Sequence, residues 1–187
     1  MAAILDLPEI RDRVHRWTVA DYERLTEDDP AFQRSELIRG IIVEKMPKSP
    51  LPSFLTKRLY DFFLRHAPDG WLVRTEQPLR LAESMPEPEV AVVRGIEGDF
   101  RSRHPTTAAL VVEIAVTSAA PDRQNASLHA EAGVGEYWIV LGEEERVEVY
   151  RSPESGADQN LRVYARHELI ESVGVISQPV PVEALFG

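Results

Sequence analysis

The stretches PEPEVAVVRG (residues 86–95) and ALVVEIAV (residues 109–116) decide the fold. Both have the nearly continuous apolar character of strands in the interior of a sheet. Each also carries one acid in this apolar setting, Glu89 in the first stretch and Glu113 in the second. A charged carboxylate in such a place costs several kcal/mol unless something pairs with it. Each of the two acids therefore needs a partner that offsets the cost of burying its charge.

The segments on either side of these stretches alternate between helical and strand patterns. Thr18 followed by Asp21 is typical of a helix start, and the apolar spacing of residues 52–65 and 121–133 favours two further helices. Strands are predicted in SELIRGIIVEKMP (35–47, with a turn at Arg39-Gly40), GWLVRTEQPLRL (70–81), GEYWIVLG (135–142), RVEVYRS (146–152) and LRVYAR (161–166). The order indicates an α/β fold in a single domain, with helices flanking a mostly β core.

Composition excludes several classes of protein. The chain has 187 residues, no cysteine and a net charge of −10, so disulfides, thiolate metal sites and cysteine nucleophiles are excluded. The N-terminus has neither a signal peptide nor a membrane span, which favours a cytoplasmic protein. The negative charge argues against nonspecific nucleic-acid binding but leaves room for a local basic groove. The five histidines show no metal-ligand spacing and are expected at the surface.

A third acid, Glu36, opens its own predicted strand. Alternation along a strand places Glu113 and Ala115 on one face of the sheet. If the three carboxylates converge, either some of them take up protons or a divalent cation holds them. Hard oxygen ligands suit Mg²⁺ or Mn²⁺. The alternative is that these glutamates are solvated or salt-bridged at strand ends.

Five motifs in a fixed order resemble one family. They are ELIRGIIVEKMPKSP (36–50), PEVAVV (88–93), LVVEIAVTS (110–118), EAGVGEYWIV (131–140) and VEVYR (147–151). This pattern resembles the bacterial restriction endonuclease family of the Uma-two type, a branch of the PD-(D/E)xK nuclease superfamily, from about Thr18 to Phe186. The resemblance implies a restriction-endonuclease-like domain over residues 18–187, with a mixed sheet flanked by helices, after an N-terminal extension of residues 1–17. It also implies metal-dependent hydrolysis of DNA.

The resemblance also assigns site residues. Glu36, Glu89 and Glu113 stand at the family's acidic positions, although Glu89 replaces the usual Asp. Glu89, Glu113 and the carbonyl of Ile114 are the implied ligands of Mg²⁺ or Mn²⁺. Asn125 stands where the family usually has the catalytic Lys, and the loss of such a cation typically costs roughly 10²–10³ in rate.

Two functions follow from these residues. The first is a metal-dependent DNA endonuclease, with Glu36, Glu89, Glu113 and Asn125 as its catalytic residues and with activity reduced by the Lys-to-Asn replacement. The second is a nuclease-fold DNA- or protein-binding module, or a homodimer, with weak or no catalysis. Metal affinity separates the two, because an unused site has no reason to keep its carboxylates in position.

Four arginines are candidates for nucleic-acid contact. Arg101 and Arg103 lie in DFRSRHP (residues 99–105), between the second and third acidic motifs, and Arg80 and Arg94 lie nearby in the sequence. Together they could form a patch that faces phosphate groups. The competing interpretation is a solvated loop.

Overall fold

The computed structural model describes residues 7–11, 13–47, 49–151, 160–171, 175–176 and 178–187. Its α-helices are α1 (Pro8–Arg11), α2 (Val19–Asp28), α3 (Pro50–His66), α4 (Ala120–Glu131) and α5 (Val182–Phe186). Its strands are β1 (Ser35–Ile38), β2 (Ile41–Glu44), β3 (Trp71–Arg74), β4 (Val90–Arg94), β5 (Leu110–Ala115), β6 (Glu136–Leu141), β7 (Arg146–Arg151), β8 (Asn160–Tyr164), β9 (Leu169–Ile170) and β10 (Val180–Pro181). Two 3₁₀ helices cover Pro30–Arg34 and Glu97–Phe100.

The centre of the fold is a six-stranded mixed sheet in the order β3-β4-β5-β6-β7-β8. Strands β5 and β6 run parallel and are connected by α4, whereas the other neighbouring pairs are antiparallel. Strands β1 and β2 form a separate hairpin through the turn at Arg39-Gly40. The predicted α/β class, with a mixed sheet flanked by helices, is confirmed.

Each face of the sheet carries its own apolar core. On one face, Val90, Val92 and Val112 pack with the buried side chains of α3. On the other, Val111 and Ala115 pack with α4. Because side chains alternate along a strand, Glu113 shares the α4 face with its neighbours at positions 111 and 115.

The helices form where the sequence favours them. The Thr18 side chain accepts a hydrogen bond from the Asp21 backbone N–H at 3.1 Å, which satisfies an otherwise unpaired amide at the start of α2. In α3, Leu55, Leu59 and Phe63 recur at helical spacing and are fully buried. The predicted helices are thus present, and each predicted strand segment contains a strand.

Two expectations differ from the structure. The strand expected over residues 70–81 ends at Arg74, because Glu76 has a φ of 52° and Pro78 lacks an N–H for a strand ladder. His129 was expected at the surface but is completely buried, and its ring stacks on Tyr137 with centroids 4.7 Å apart. The apolar face of α4 therefore includes a histidine.

The described helices include none that is both long and apolar enough to cross a membrane. The predicted boundary between an N-terminal extension and the nuclease-like domain at residues 17 and 18 stays a prediction. Part of that extension, residues 1–6 and 12, lies outside the described residues.

Candidate functional site

A cleft of about 540 Å³ opens where β4 begins and β5 ends. The β1–β2 hairpin forms one wall and the first turns of α4 form another. We call it the acid cleft, because it is lined by the acidic side chains Glu36, Glu44, Glu76, Glu87, Glu89, Glu113 and Asp122, together with Lys45, Asn125 and Ile114 among others. The predicted residues Glu36, Glu89, Glu113, Ile114 and Asn125 all line it.

Glu89 and Glu113 lie side by side in this cleft. Val90 pairs with Val112 in the antiparallel β4–β5 ladder, so the next residues along, Glu89 and Glu113, lie opposite each other. The pKa of Glu113 is raised well above its usual range by burial first, then by the negative charge of Glu89 and a hydrogen bond to it. Glu89 Oε2 also accepts a hydrogen bond from the backbone N–H of Ile114 at 3.1 Å. The sheet itself therefore fixes the geometry of this pair.

Glu36 lies in the same cleft but has a different local role. Its Oε1 accepts a hydrogen bond from the backbone N–H of Glu87 at 2.9 Å, which ties the β1–β2 hairpin to the segment that leads into β4. Its negative charge also contributes to the raised pKa of Glu113. Glu36 thus adds negative potential and anchors the wall of the cleft.

Helix α4 brings two more polar side chains to the site. Asp122 lies in the first turn of α4, and burial, together with the charges of Glu89 and Glu36, raises its pKa to about 6. The Asp122 carbonyl accepts a hydrogen bond from the Tyr137 hydroxyl at 2.9 Å, which holds this turn against β6. Asn125 lies about one turn further along the helix. Sequence reasoning placed Asn125 here and missed Asp122.

Lys45 is the second residue that sequence reasoning missed. It follows β2, lines the acid cleft, and its Nζ forms an ion pair with Glu87. The pattern contained a signal for it: in a hairpin that turns at Arg39-Gly40, Glu36 pairs with Val43. Lys45 is two residues further on and so lies on the same face of the hairpin as Glu36. The cleft therefore contains a cation although Asn125 occupies the usual Lys position.

The donor chemistry of the cleft fits a hard divalent cation. The hydrogen bond between Glu113 and Glu89 requires a proton on one of the two carboxyl groups, and a cation held between them would replace that proton. Mg²⁺ and Mn²⁺ prefer such oxygen ligands. No three His, Asp or Glu side chains in the described part of the chain are arranged to hold a metal ion. Further ligands would be a backbone carbonyl, such as that of Ile114, and water.

The four arginines proposed for nucleic-acid contact separate into two groups. Arg80, Arg101 and Arg103 line one cavity outside the acid cleft. Arg94 is exposed at the end of β4, and its guanidinium lies over the Trp71 ring at 5.7 Å. The structure thus brings three of the four together.

Comparison with known proteins gives a family and a fold. The family model described as "Putative restriction endonuclease" matches residues 19–179. A crystal structure from Anabaena variabilis, described as "a putative nuclease belonging to DUF820", is similar with a TM-score of 0.71 at 17% sequence identity. The similarity covers 81% of this chain and 89% of that one. No curated protein is significantly similar to the chain.

Proposed function

This chain belongs to the family described as "Putative restriction endonuclease", and we propose that it is a metal-dependent nuclease that hydrolyses phosphodiester bonds in DNA. The observation that carries the proposal is the Glu89–Glu113 pair, whose two residues lie opposite each other at the ends of two adjacent strands and line an open cleft. A divalent cation bound there would activate water and balance the charge of the scissile phosphate.

The side chains of the cleft have separate tasks in this proposal. Glu89 and Glu113 hold the cation, and the Ile114 N–H keeps the Glu89 carboxylate turned toward Glu113. Lys45 supplies positive charge where negative charge develops on the phosphate. Glu36 orients this end of the cleft through its hydrogen bond to the Glu87 amide.

Lys45 also offsets the replacement of the usual Lys by Asn125. Asn125 can donate a hydrogen bond to a phosphate oxygen but brings no charge. A cation on the hairpin supplies that charge from another element, and its ion pair with Glu87 keeps it at the rim of the cleft. We therefore propose an active enzyme.

Cleavage of supercoiled plasmid DNA in Mg²⁺ and in Mn²⁺ tests this function. The parent chain is expected to nick and linearise the plasmid, and Glu113→Gln and Glu89→Gln are each expected to lose activity by about 10³-fold or more. Glu143→Gln is the matched control, because Glu143 is exposed and lies outside the acid cleft. Equal cutting by the parent and by Glu113→Gln, or no cutting in either metal, would contradict the proposal.

A second candidate is a nuclease-fold binding module without efficient catalysis. The net charge of −10 and the neutral Asn125 favour it. Calorimetric titration with Mn²⁺ distinguishes the two candidates. A nuclease is expected to bind the metal through Glu89 and Glu113, whereas a binding module with an unused site is expected to show no binding that depends on these two residues. A cytoplasmic location and a homodimer stay predictions from the sequence.

A further inference from the structure

A second cavity, of about 850 Å³, opens outside the acid cleft, between α2 and the loops of residues 79–85 and 101–104. Four arginines line it: Arg24, Arg80, Arg101 and Arg103. We call it the arginine cavity. Two glutamates, Glu23 and Glu27, are its only acidic lining residues among those described. Its lining is therefore net positive in a chain whose total charge is −10.

The arginines of this cavity differ in how they are paired. Arg80 donates to both carboxylate oxygens of Glu23, at 2.8 and 3.2 Å, and Arg24 pairs with Asp21. Arg101 and Arg103 are exposed, and neither guanidinium has an acidic partner within the ranges that the structure describes. Two cations thus remain available to an anion from outside.

The positive potential extends to the groups around the cavity. The pKa of His104, which also lines the cavity, is lowered by burial and then by the charges of Arg74 and Arg80, with Glu23 acting in the opposite direction. Arg74 is buried, and its guanidinium lies over the Phe100 ring at 5.2 Å. Its Nε atom has no hydrogen-bond partner among the described residues. Arg74 therefore lies next to Phe100, the residue that immediately precedes Arg101 in the chain.

One segment of the chain connects the arginine cavity to the acid cleft. Residues 75–89 lead from β3 to β4, and Arg80 and Met85 line the arginine cavity while Glu76 and Glu87 line the acid cleft. The bridge between Leu37 and Met85 fixes this segment to the β1–β2 hairpin. A polyanion that reaches the acid cleft is repelled by most of the charged side chains that line it, so it needs a cationic contact elsewhere.

We propose that the arginine cavity binds backbone phosphate of a nucleic acid, through Arg101 and Arg103, and so holds the strand beside the acid cleft. Guanidinium groups bind phosphate through paired N–H donors, which makes arginine suited to this contact. Contacts of this kind position the nucleic acid without reading its sequence. The inference rests on the proposed DNA substrate but not on catalysis.

Fluorescence anisotropy with a labelled 20-base-pair DNA duplex in EDTA tests the proposal without cleavage. The double variant Arg101→Gln/Arg103→Gln is expected to bind on the order of tenfold more weakly, and the slope of log K against log salt is expected to fall by roughly 2. Arg65→Gln/Arg146→Gln is the matched control, since it removes two exposed arginines elsewhere. Circular dichroism checks that each variant is folded.

A second variant is expected to change DNA affinity in the opposite direction, which damage to the fold would not do. Glu27→Gln removes a negative charge from the lining of the arginine cavity and is expected to tighten DNA binding about two- to threefold. Equal affinity and equal salt slope in the parent and in Arg101→Gln/Arg103→Gln would overturn the proposal. A shift of the Arg101 and Arg103 Nε resonances by inorganic phosphate, without any DNA binding by the parent, would also overturn it. Failure of the nuclease proposal alone would instead appear as normal DNA binding without plasmid cleavage.

Discussion

Two kinds of acid lie in the same six-stranded sheet: Glu136 and Glu148 are buried, and Glu113 is partly buried. Glu136 on β6 and Glu148 on β7 each have an arginine: Arg151 Nε lies 2.6 Å from Glu136 Oε1, and Arg123 Nε lies 3.0 Å from Glu148 Oε2. Glu113 on β5 lies among other acids instead, and their charges raise its pKa further after burial has raised it.

The difference distinguishes acids that stabilise the fold from acids that are placed to bind a ligand. A buried carboxylate that has its own cation and hydrogen bonds is neutralised within the chain, and removing its partner is costly. The Trp138 and Tyr150 side chains complete this arrangement by donating hydrogen bonds to Glu136 and Glu148. Glu113 instead lies beside Glu89 and near Glu36 and Asp122, whose charges raise its pKa, and we propose that a bound cation neutralises the Glu89–Glu113 pair.

His129 is a further buried ionisable group, and it gives the largest effect on stability that we expect. Burial lowers its pKa to about 4, from about 6.5 in an unfolded chain. Below pH 6.5 the unfolded chain takes up a proton that the folded chain does not, so up to about 3 kcal/mol of stability is lost as the pH falls toward 4. Urea unfolding at pH 7 and pH 4.5 measures this loss. His129→Phe, which keeps an aromatic ring against Tyr137, is expected to reduce the pH dependence, and an unchanged dependence would show that His129 is not its source.

Lys45 allows a test of whether the acid cleft needs its own cation for catalysis. Lys45→Met is expected to lower the rate of plasmid cleavage by about 10²-fold, because positive charge near the phosphate is lost. Lys45→Arg keeps the charge and is expected to retain more activity than Lys45→Met. A gel-based rate assay measures both variants, and wild-type rates in Lys45→Met would remove Lys45 from the mechanism.

Breaking an internally neutralised acid should affect stability rather than chemistry. Arg151→Met leaves Glu136 buried without its cation and is expected to cost about 2 kcal/mol, below the roughly 3–5 kcal/mol of fully buried pairs because Arg151 is partly exposed. The double variant Glu136→Gln/Arg151→Met is expected to recover part of that loss. Chemical denaturation of the single and double variants gives the free energy of unfolding of each, which completes a double-mutant cycle. If the changes in the free energy of unfolding were simply additive, the two side chains would not be coupled.

The smallest expected effect is a gain in stability from the acid cleft. Glu113→Gln keeps a hydrogen-bond donor toward Glu89 without the proton uptake that the raised pKa of Glu113 requires, and is expected to stabilise the metal-free chain by about 1 kcal/mol. Thermal unfolding in EDTA measures it. Destabilisation of similar size would place Glu113 with the structural acids instead.

The sequence predicted the strands of the sheet because these follow from short-range patterns, whereas the family resemblance assigned Glu89 and Glu113 to one site. Nearly continuous apolar stretches predicted β4 and β5, and alternation placed Glu113 on the α4 face. Lys45 and Asp122 were not predicted as site residues. Their position in the acid cleft depends on how the β1–β2 hairpin and the first turn of α4 pack around the ends of β4 and β5. The burial of His129 likewise depends on tertiary packing, since a histidine on a helix of mixed polarity carries no local signal for it.

The central claim is that Glu89 and Glu113 form a divalent-cation site, and thermal unfolding with and without Mn²⁺ tests it most directly. A ligand that binds only the folded state stabilises it, by about 2.7 kcal/mol at a hundredfold excess over Kd. We expect Mn²⁺ to raise the Tm of the parent chain and to leave the Tm of Glu89→Gln/Glu113→Gln unchanged. An equal response of the two chains to Mn²⁺ would contradict the account.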